Sequence, residues 1–123
     1  MKTLDGDTTT FPLASEYRSA LLALRDQLSA NQLLLLQHHY HAPGQSMTAR
    51  QLAEAVAYKD YRAVNLQYGK LAGKLCEALN VMVKEDKVYV LASFAREPEI
   101  SAGECQLIMR PELAQALVEL GWV

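Results

Sequence analysis

Residues 48 to 79, TARQLAEAVAYKDYRAVNLQYGKLAGKLCEAL, decide the fold because they encode a short helix, a tight turn and a long helix. Thr48 begins a capping-box pattern, with glutamine three residues later, which predicts a helix over about 49–57. The segment YKDY is the predicted turn, and Asp60 is a suitable N-cap for a second helix over about 61–79. Two helices joined in this way are typical of a helix-turn-helix motif.

The long helix has an apolar stripe and an opposite face of mixed character. At about 100° per residue, one side collects residues that we predict to pack in the core. These are Val64, Tyr68, Leu71, Ala72, Leu75, Cys76 and Leu79. The opposite side carries Arg62, Leu66, Gly69, Lys70, Gly73 and Glu77. Two alternatives remain open for Leu66 and the glycines: they contact a partner, or they pack against the N-terminal helices, with glycine permitting close contact.

The N-terminal part of the chain predicts an arm and two helices. Residues 1–13 form the predicted arm, docked through Phe11. A helix is predicted over about 14–28, with Ser15 as its N-cap, because leucines recur there at helical spacing. A second, largely buried helix is predicted over about 30–41, and the proline and glycine that follow it end it.

After the long helix the pattern changes to that of strands. KVYVLASFA at 87–95 is rich in β-branched and aromatic residues, and ECQLIMR at 104–110 predicts a second strand. A last helix is predicted over about 111–121, opened by proline at its first position. A β-hairpin directly after the second helix of the motif, the wing at about 87–110, indicates the winged variant. We therefore predict a mainly α domain with a β-hairpin, a winged helix-turn-helix-like α+β fold over 14–123.

Composition excludes several classes of protein. The chain has 123 residues, of which 50% are hydrophobic and 21% charged, so we expect one soluble globular domain. A formal net charge of −2 argues against coating DNA by bulk charge but allows a local basic patch. Cys76 and Cys105 fit no metal-ligand spacing and indicate reduced thiols in the cytoplasm. The longest apolar run, Leu33 to Leu36, is too short to span a bilayer, and no membrane partner is expected.

No pattern in the sequence indicates catalysis. His38 and His41 are one helical turn apart and could share a metal, but no acidic or cysteine ligand lies nearby at ligand spacing. A histidine cluster at a helix end is the preferred interpretation. The chain has no Ser/His/Asp arrangement in a suitable context and no glycine-rich phosphate loop after a strand. We therefore expect no catalytic residues, no metal and no cofactor.

The polar residues of the motif suit double-stranded DNA. The second helix of such a motif enters the major groove, where Arg pairs with guanine and Asn or Gln with adenine. Lysines nearby can contact phosphates. Residues 48–75 contain five basic and two acidic residues, a net charge of +3, so the remainder carries −5. Core packing does not require an asparagine at position 65, which favours a base contact there. The predicted DNA-binding residues are Arg50, Lys59, Arg62, Asn65, Gln67, Lys70 and Lys74.

Two features favour other hypotheses. The predicted wing tip is acidic, and like charge repels the DNA backbone. Leu66 is apolar on a face that DNA would cover. The main alternative is a phage-borne or bacterial protein-interaction module that inhibits a nucleic-acid defence complex by placing an acidic surface in its basic channel. Its contacts would be Leu66, Glu97, Glu99 and Glu104. A third hypothesis is a dimeric structural or regulatory subunit, with the apolar N-terminal helices as the homodimer interface.

The motif region resembles small uncharacterised bacterial proteins and the N-terminal, winged-helix-like recognition regions of some HNH-type restriction endonucleases. The shared pattern is T-x-x-x-L-A-x-x-x-x-Y, a short turn, N-L-x-Y-G-x-L, a strand and an MRPEL…ALxxLGW ending, and it covers roughly 47–123. The resemblance implies a recognition module linked to restriction or defence, without the HNH motif that would cut DNA. The matching residues are Thr48, Leu52, Ala53, Tyr58, Asn65, Leu66, Tyr68, Gly69, Leu71, Met109 to Leu113 and Leu120 to Trp122.

Overall fold

The computed structural model describes residues 2–5, 11–95 and 105–123, which form an α+β arrangement of helices around one core and two small sheets. The helices are α1 (Ala14–Leu24), α2 (Ala30–His41), α3 (Ala49–Ala55), α4 (Tyr61–Leu79) and α5 (Pro111–Leu120). The strands are β1 (Lys2–Leu4), β2 (Ser46–Thr48), β3 (Val81–Val83), β4 (Ala92–Ala95) and β5 (Gln106–Met109). Three 3-10 turns lie at Arg25–Gln27, Pro43–Gln45 and Lys87–Val90.

Side-chain caps start three helices where the sequence predicts them. Ser29 Oγ accepts from the Gln32 amide at 3.0 Å, and Gln32 Oε1 accepts in return from the Ser29 amide. Thr48 and Gln51 make the same reciprocal pair at the start of α3, and Asp60 caps α4. Each cap satisfies amides that have no partner inside the helix. The predicted bounds of α2 and α4 are therefore confirmed.

Three predicted helix boundaries are wrong. The N-cap of α1 is Leu13 rather than Ser15, because the Leu13 amide donates to Glu16 Oε1 at 2.9 Å and the serine lies in the first turn. The same helix ends at Leu24 instead of at the predicted residue 28, and the chain then tightens into the 3-10 turn at Arg25–Gln27. α3 also ends early, since Ala57 has a φ of 60°, which is incompatible with a right-handed helix.

The β structure is larger than the predicted hairpin. β4 pairs with β5 as expected, but β5 also pairs with β2, so that it is the central strand of a three-stranded antiparallel sheet. β1 and β3 form a separate parallel pair. The predicted N-terminal arm therefore contributes a strand, with Leu4 buried in the core. β1, β2 and β3 have only three residues each, too few to display a strand periodicity in the sequence.

The strand predicted over 87–95 is confirmed only for β4. Its first part is a 3-10 turn, whose carbonyl groups find partners outside any sheet. The Tyr17 hydroxyl donates to the Val90 carbonyl at 2.8 Å, and Arg110 Nε donates to the Tyr89 carbonyl at 2.7 Å. These side-chain donors replace the hydrogen bonds that a strand partner would supply.

The core is centred on the predicted stripe of α4. The residues of the stripe that are buried are Val64, Tyr68, Leu71, Ala72, Leu75 and Cys76, whereas Leu79 is half-buried. The predicted docking of Phe11 is also confirmed. Its side chain is 7% exposed, and the guanidinium of Arg110 lies 3.7 Å from the ring centroid in a cation–π contact.

A buried histidine ties α2 and α4 to the three-stranded sheet. His39 is 1% exposed, with Nε2 2.8 Å from the Leu107 carbonyl oxygen and Nδ1 2.8 Å from the Tyr68 hydroxyl. Because a carbonyl can only accept, Nε2 carries the proton and donates, and Nδ1 accepts from the tyrosine. Burial lowers the pKa of His39 below its ordinary 6.5, so the ring is neutral at pH 7.

We expect the stability of the protein to fall on acidification through His39. Below pH 6.5 the unfolded chain binds a proton at this ring. The folded chain does not bind it until its own, lower pKa is reached, so the free energy of unfolding decreases as pH falls through this window. A His39→Gln variant should lose this part of the pH dependence, since glutamine does not titrate. It should also lose about 1–3 kcal/mol of stability at neutral pH, because hydrogen-bonding partners of the histidine are left unpaired.

Chemical denaturation over a pH series measures both effects. His38→Gln is the matched control, since it makes the same substitution at an exposed position of the same helix and leaves the hydrogen bonds of His39 in place. An unaltered pH dependence in His39→Gln would contradict the assignment.

Candidate nucleic-acid interface

The side of α4 opposite the core carries three of the seven predicted DNA-binding residues. Their positions follow from the burial of Val64 and Tyr68, which are at most 1% exposed and turn the other side of the helix towards solvent. This side is called the outward face of α4, and it consists of Arg62, Asn65, Leu66, Gly69, Lys70, Gly73 and, near its C-terminal end, the exposed Glu77. The outward face therefore brings an arginine, an asparagine and a lysine together around one leucine.

Leu66 and the two glycines do not pack inside the domain. Leu66 is 57% exposed, and a Cβ added at Gly69 or Gly73 would meet nothing within 4 Å. The alternative that these residues contact the N-terminal helices is therefore wrong. Glycine in the interior of an exposed helix costs roughly 1 kcal/mol relative to alanine. Within the described part of the chain, no close helix contact offsets that cost.

Arg62 is held loosely at the start of α4. Its side chain is 80% exposed, and Nε lies 3.7 Å from Oδ2 of Asp60, which also caps the helix. Such an exposed ion pair contributes about 0–1 kcal/mol, so Arg62 can exchange it for another anion at little cost. Asn65 is also exposed, so a buried hydrogen bond does not account for the presence of asparagine at this position.

Two further basic side chains lie beside the beginning of α4. The guanidinium of Arg50, on α3, lies 5.4 Å from the centroid of the Tyr61 ring, and Tyr61 is the first residue of α4. Lys59 is exposed in the turn between the two helices. The N-terminus of a helix adds a partial positive charge of its own. The start of α4 is consequently the place where three of the five predicted basic residues, Arg50, Lys59 and Arg62, lie near one another.

Gln67 and Lys74 are engaged within the chain. Gln67 Oε1 accepts from Gln32 Nε2 on α2 at 3.4 Å. Lys74 Nζ donates to the Gln27 carbonyl at 2.7 Å. Both side chains are half-buried and flank the outward face instead of forming part of it. Sequence spacing alone places them near the exposed side, but it does not reveal these contacts with the 3-10 turn after α1 and with α2.

The acidic contacts of the alternative hypothesis, Glu97, Glu99 and Glu104, lie outside the described residues, as does Arg96. The connection between β4 and β5 falls largely in the same stretch.

The histidines at the end of α2 border two surface grooves. His38 and His41 lie on the rim of a groove of about 690 Å³ between α2 and α3, and of a smaller one beside Trp122. In residues 2–5, 11–95 and 105–123, no group of three His, Cys, Asp or Glu side chains is placed to hold a metal ion. Among the described helices, none combines the length and the apolar character needed to cross a membrane.

Comparison with known proteins found no match: no family model, curated protein or solved structure matches this chain. The resemblance to the recognition regions of HNH-type endonucleases thus stays a prediction from sequence.

Replacing either glycine of the outward face should stabilise the domain. Gly69→Ala and Gly73→Ala should each raise the free energy of unfolding by up to about 1 kcal/mol, since the added methyl group meets open space and the helix loses less backbone entropy. Urea denaturation checks this.

Gly121→Ala is the matched control for the glycine variants. Its φ of 71° is unfavourable for alanine, so this variant should be destabilised. Destabilisation at position 69 or 73 would show that these glycines are needed inside the domain.

Proposed function

We propose that this protein is a non-catalytic DNA-binding module of the winged helix-turn-helix type, with α3 and α4 as the motif and β4 and β5 as the wing. The order of elements supports it: α2, β2, α3 and α4 are followed, after β3 and a 3-10 turn, by the antiparallel pair of β4 and β5. The pairing of β2 with β5 supports it further, because it joins the strand before the motif to the hairpin that follows. α4 would be the helix that enters the major groove.

One observation carries the proposal: the exposed arginine, asparagine and lysine of the outward face lie together on the helix that the motif would present to DNA. Arg62 and Asn65 are of the types that pair with guanine and adenine, and both lie near the start of α4, where base contacts are made in this class of motif. Lys70, about two turns beyond Arg62, has the charge and reach to meet a phosphate.

The positive charges beside the start of α4 support an arrangement in which the N-terminal end of this helix points into the DNA groove. Arg50 and Lys59 would meet the two phosphate strands that border the groove, while the partial positive charge of the helix N-terminus adds to their attraction. Gln67 and Lys74, which contact the chain itself, have a smaller part in this arrangement than the sequence predicts. A link to restriction or defence rests on the sequence resemblance and is part of the proposal.

Removal of two charges from the outward face should disable DNA binding. We expect the protein to bind a mixed-sequence duplex pool in a salt-dependent manner, and an Arg62→Ala, Lys70→Ala double variant to bind about tenfold or more weakly. The slope of log affinity against log salt should decrease by about 1, because Lys70 loses a phosphate contact while Arg62 loses a base contact. Fluorescence anisotropy at several salt concentrations measures both quantities.

A Lys2→Ala, Lys84→Ala double variant is the matched control. It removes the same charge at and directly beside the β1–β3 pair, which lies beyond the C-terminal end of α4, about 26 Å from Arg62 along the helix. Equal weakening in this control would indicate bulk charge instead of a defined face. Absence of binding at low salt would exclude stand-alone DNA recognition.

A further inference from the structure

The outward face of α4 has an apolar centre between two cations. Arg62, Leu66 and Lys70 follow one another at intervals of four residues, so they form one ridge along the helix. Leu66 is 57% exposed in the middle of that ridge. A DNA-binding helix gains nothing from an exposed leucine unless the groove offers an apolar group to cover it, since apolar surface left in water carries a free-energy cost.

The glycines make this leucine protrude. Gly69 and Gly73 lie beside the ridge and have open space where a side chain would begin. The helix surface next to Leu66 is therefore lower than an ordinary helix surface, and another molecule can come close to the backbone there. Leu66 consequently stands as a single apolar projection beside a shallow recess, with a positive charge one turn away on either side.

The major groove contains one kind of apolar group that fits such a projection. Its base edges present hydrogen-bond donors and acceptors, and the apolar exception is the methyl group at C5 of a pyrimidine. Thymine has this methyl, and 5-methylcytosine carries one at the same ring position. Arginine pairs with guanine on the same groove floor, and lysine reaches the phosphate strand at its edge.

We propose that Leu66 contacts a pyrimidine C5-methyl group in the major groove and so makes the module sensitive to thymine or methylated cytosine; this rests on the proposed function of α4 as a DNA-binding helix. Leu66 is then a specificity residue beside the base-contacting Arg62, whereas Lys70 supplies affinity through a phosphate. A methyl group in this position is covered by the leucine side chain and loses its contact with water.

The test removes or adds only the methyl group. In the first comparison, the full chain is titrated against two versions of one mixed-sequence duplex pool, one containing thymine and the other uracil. In the second comparison, both versions contain uracil, and they differ only in containing cytosine or 5-methylcytosine. We expect about threefold to fourfold tighter binding to at least one methyl-bearing pool, the effect of burying one methyl group. The pair that shows the difference identifies which pyrimidine supplies the methyl.

Two variants connect the effect to the leucine. Leu66→Ala should bind the methyl-bearing and methyl-free pools equally, while retaining salt-dependent binding. Val118→Ala removes a similarly exposed apolar side chain, 51% exposed on α5, and should discriminate as the unmodified protein does. Because both positions are exposed, neither change should affect folding, which circular dichroism checks.

The outcomes separate this inference from the proposed function. Salt-dependent binding without a preference for methyl-bearing DNA overturns the role of Leu66 and leaves the DNA-binding proposal intact. A preference that persists in Leu66→Ala also overturns it. Absence of binding to every pool at low salt overturns both, and the exposed leucine would then belong to a contact with a protein.

Discussion

The hydrogen bonds of His39 fix the direction in which α4 faces. The histidine joins the Tyr68 hydroxyl on α4 to the Leu107 carbonyl on the central strand, and all three residues are buried in the core. A shift of one residue in the register of α4 would turn the helix by about 100° and separate the tyrosine from the histidine. Because the tyrosine side is fixed, the opposite side, with Arg62 and Lys70, must face solvent.

Strong local patterns made most of the helical fold predictable from sequence. The reciprocal caps at Ser29 and Thr48 and the left-handed stop at Asn80 depend on neighbouring residues alone, and α2 and α4 begin and end as predicted. The short strands were missed because long-range pairing forms them. β2 forms because it pairs with β5, which is distant in sequence. The 3-10 turn at 87–90 is likewise held by hydrogen bonds from the side chains of Tyr17 and Arg110.

The candidate site was only partly accessible to the same reasoning. Helical periodicity correctly places Arg62 and Lys70 on the solvent side of α4, because that side is fixed by the apolar stripe, whereas the exposure of Asn65 is seen only in the structure. Periodicity could not decide whether Leu66 is covered, since burial depends on elements distant in sequence. The contacts of Gln67 and Lys74 with the chain before α4 also needed the tertiary structure. The sequence therefore predicts which residue types lie on the solvent side of α4, and the structure shows which of these side chains are exposed next to one another.

Chemical-shift mapping tests the DNA-binding role of the outward face most directly. Amide resonances of the isotope-labelled protein are followed while a duplex is added at low salt. The account predicts that the largest changes occur along the first half of α4, from Arg62 to Lys70, and in the turn around Lys59, with the β1–β3 pair unaffected. Changes confined to other surfaces, or no changes at any duplex concentration, would contradict it.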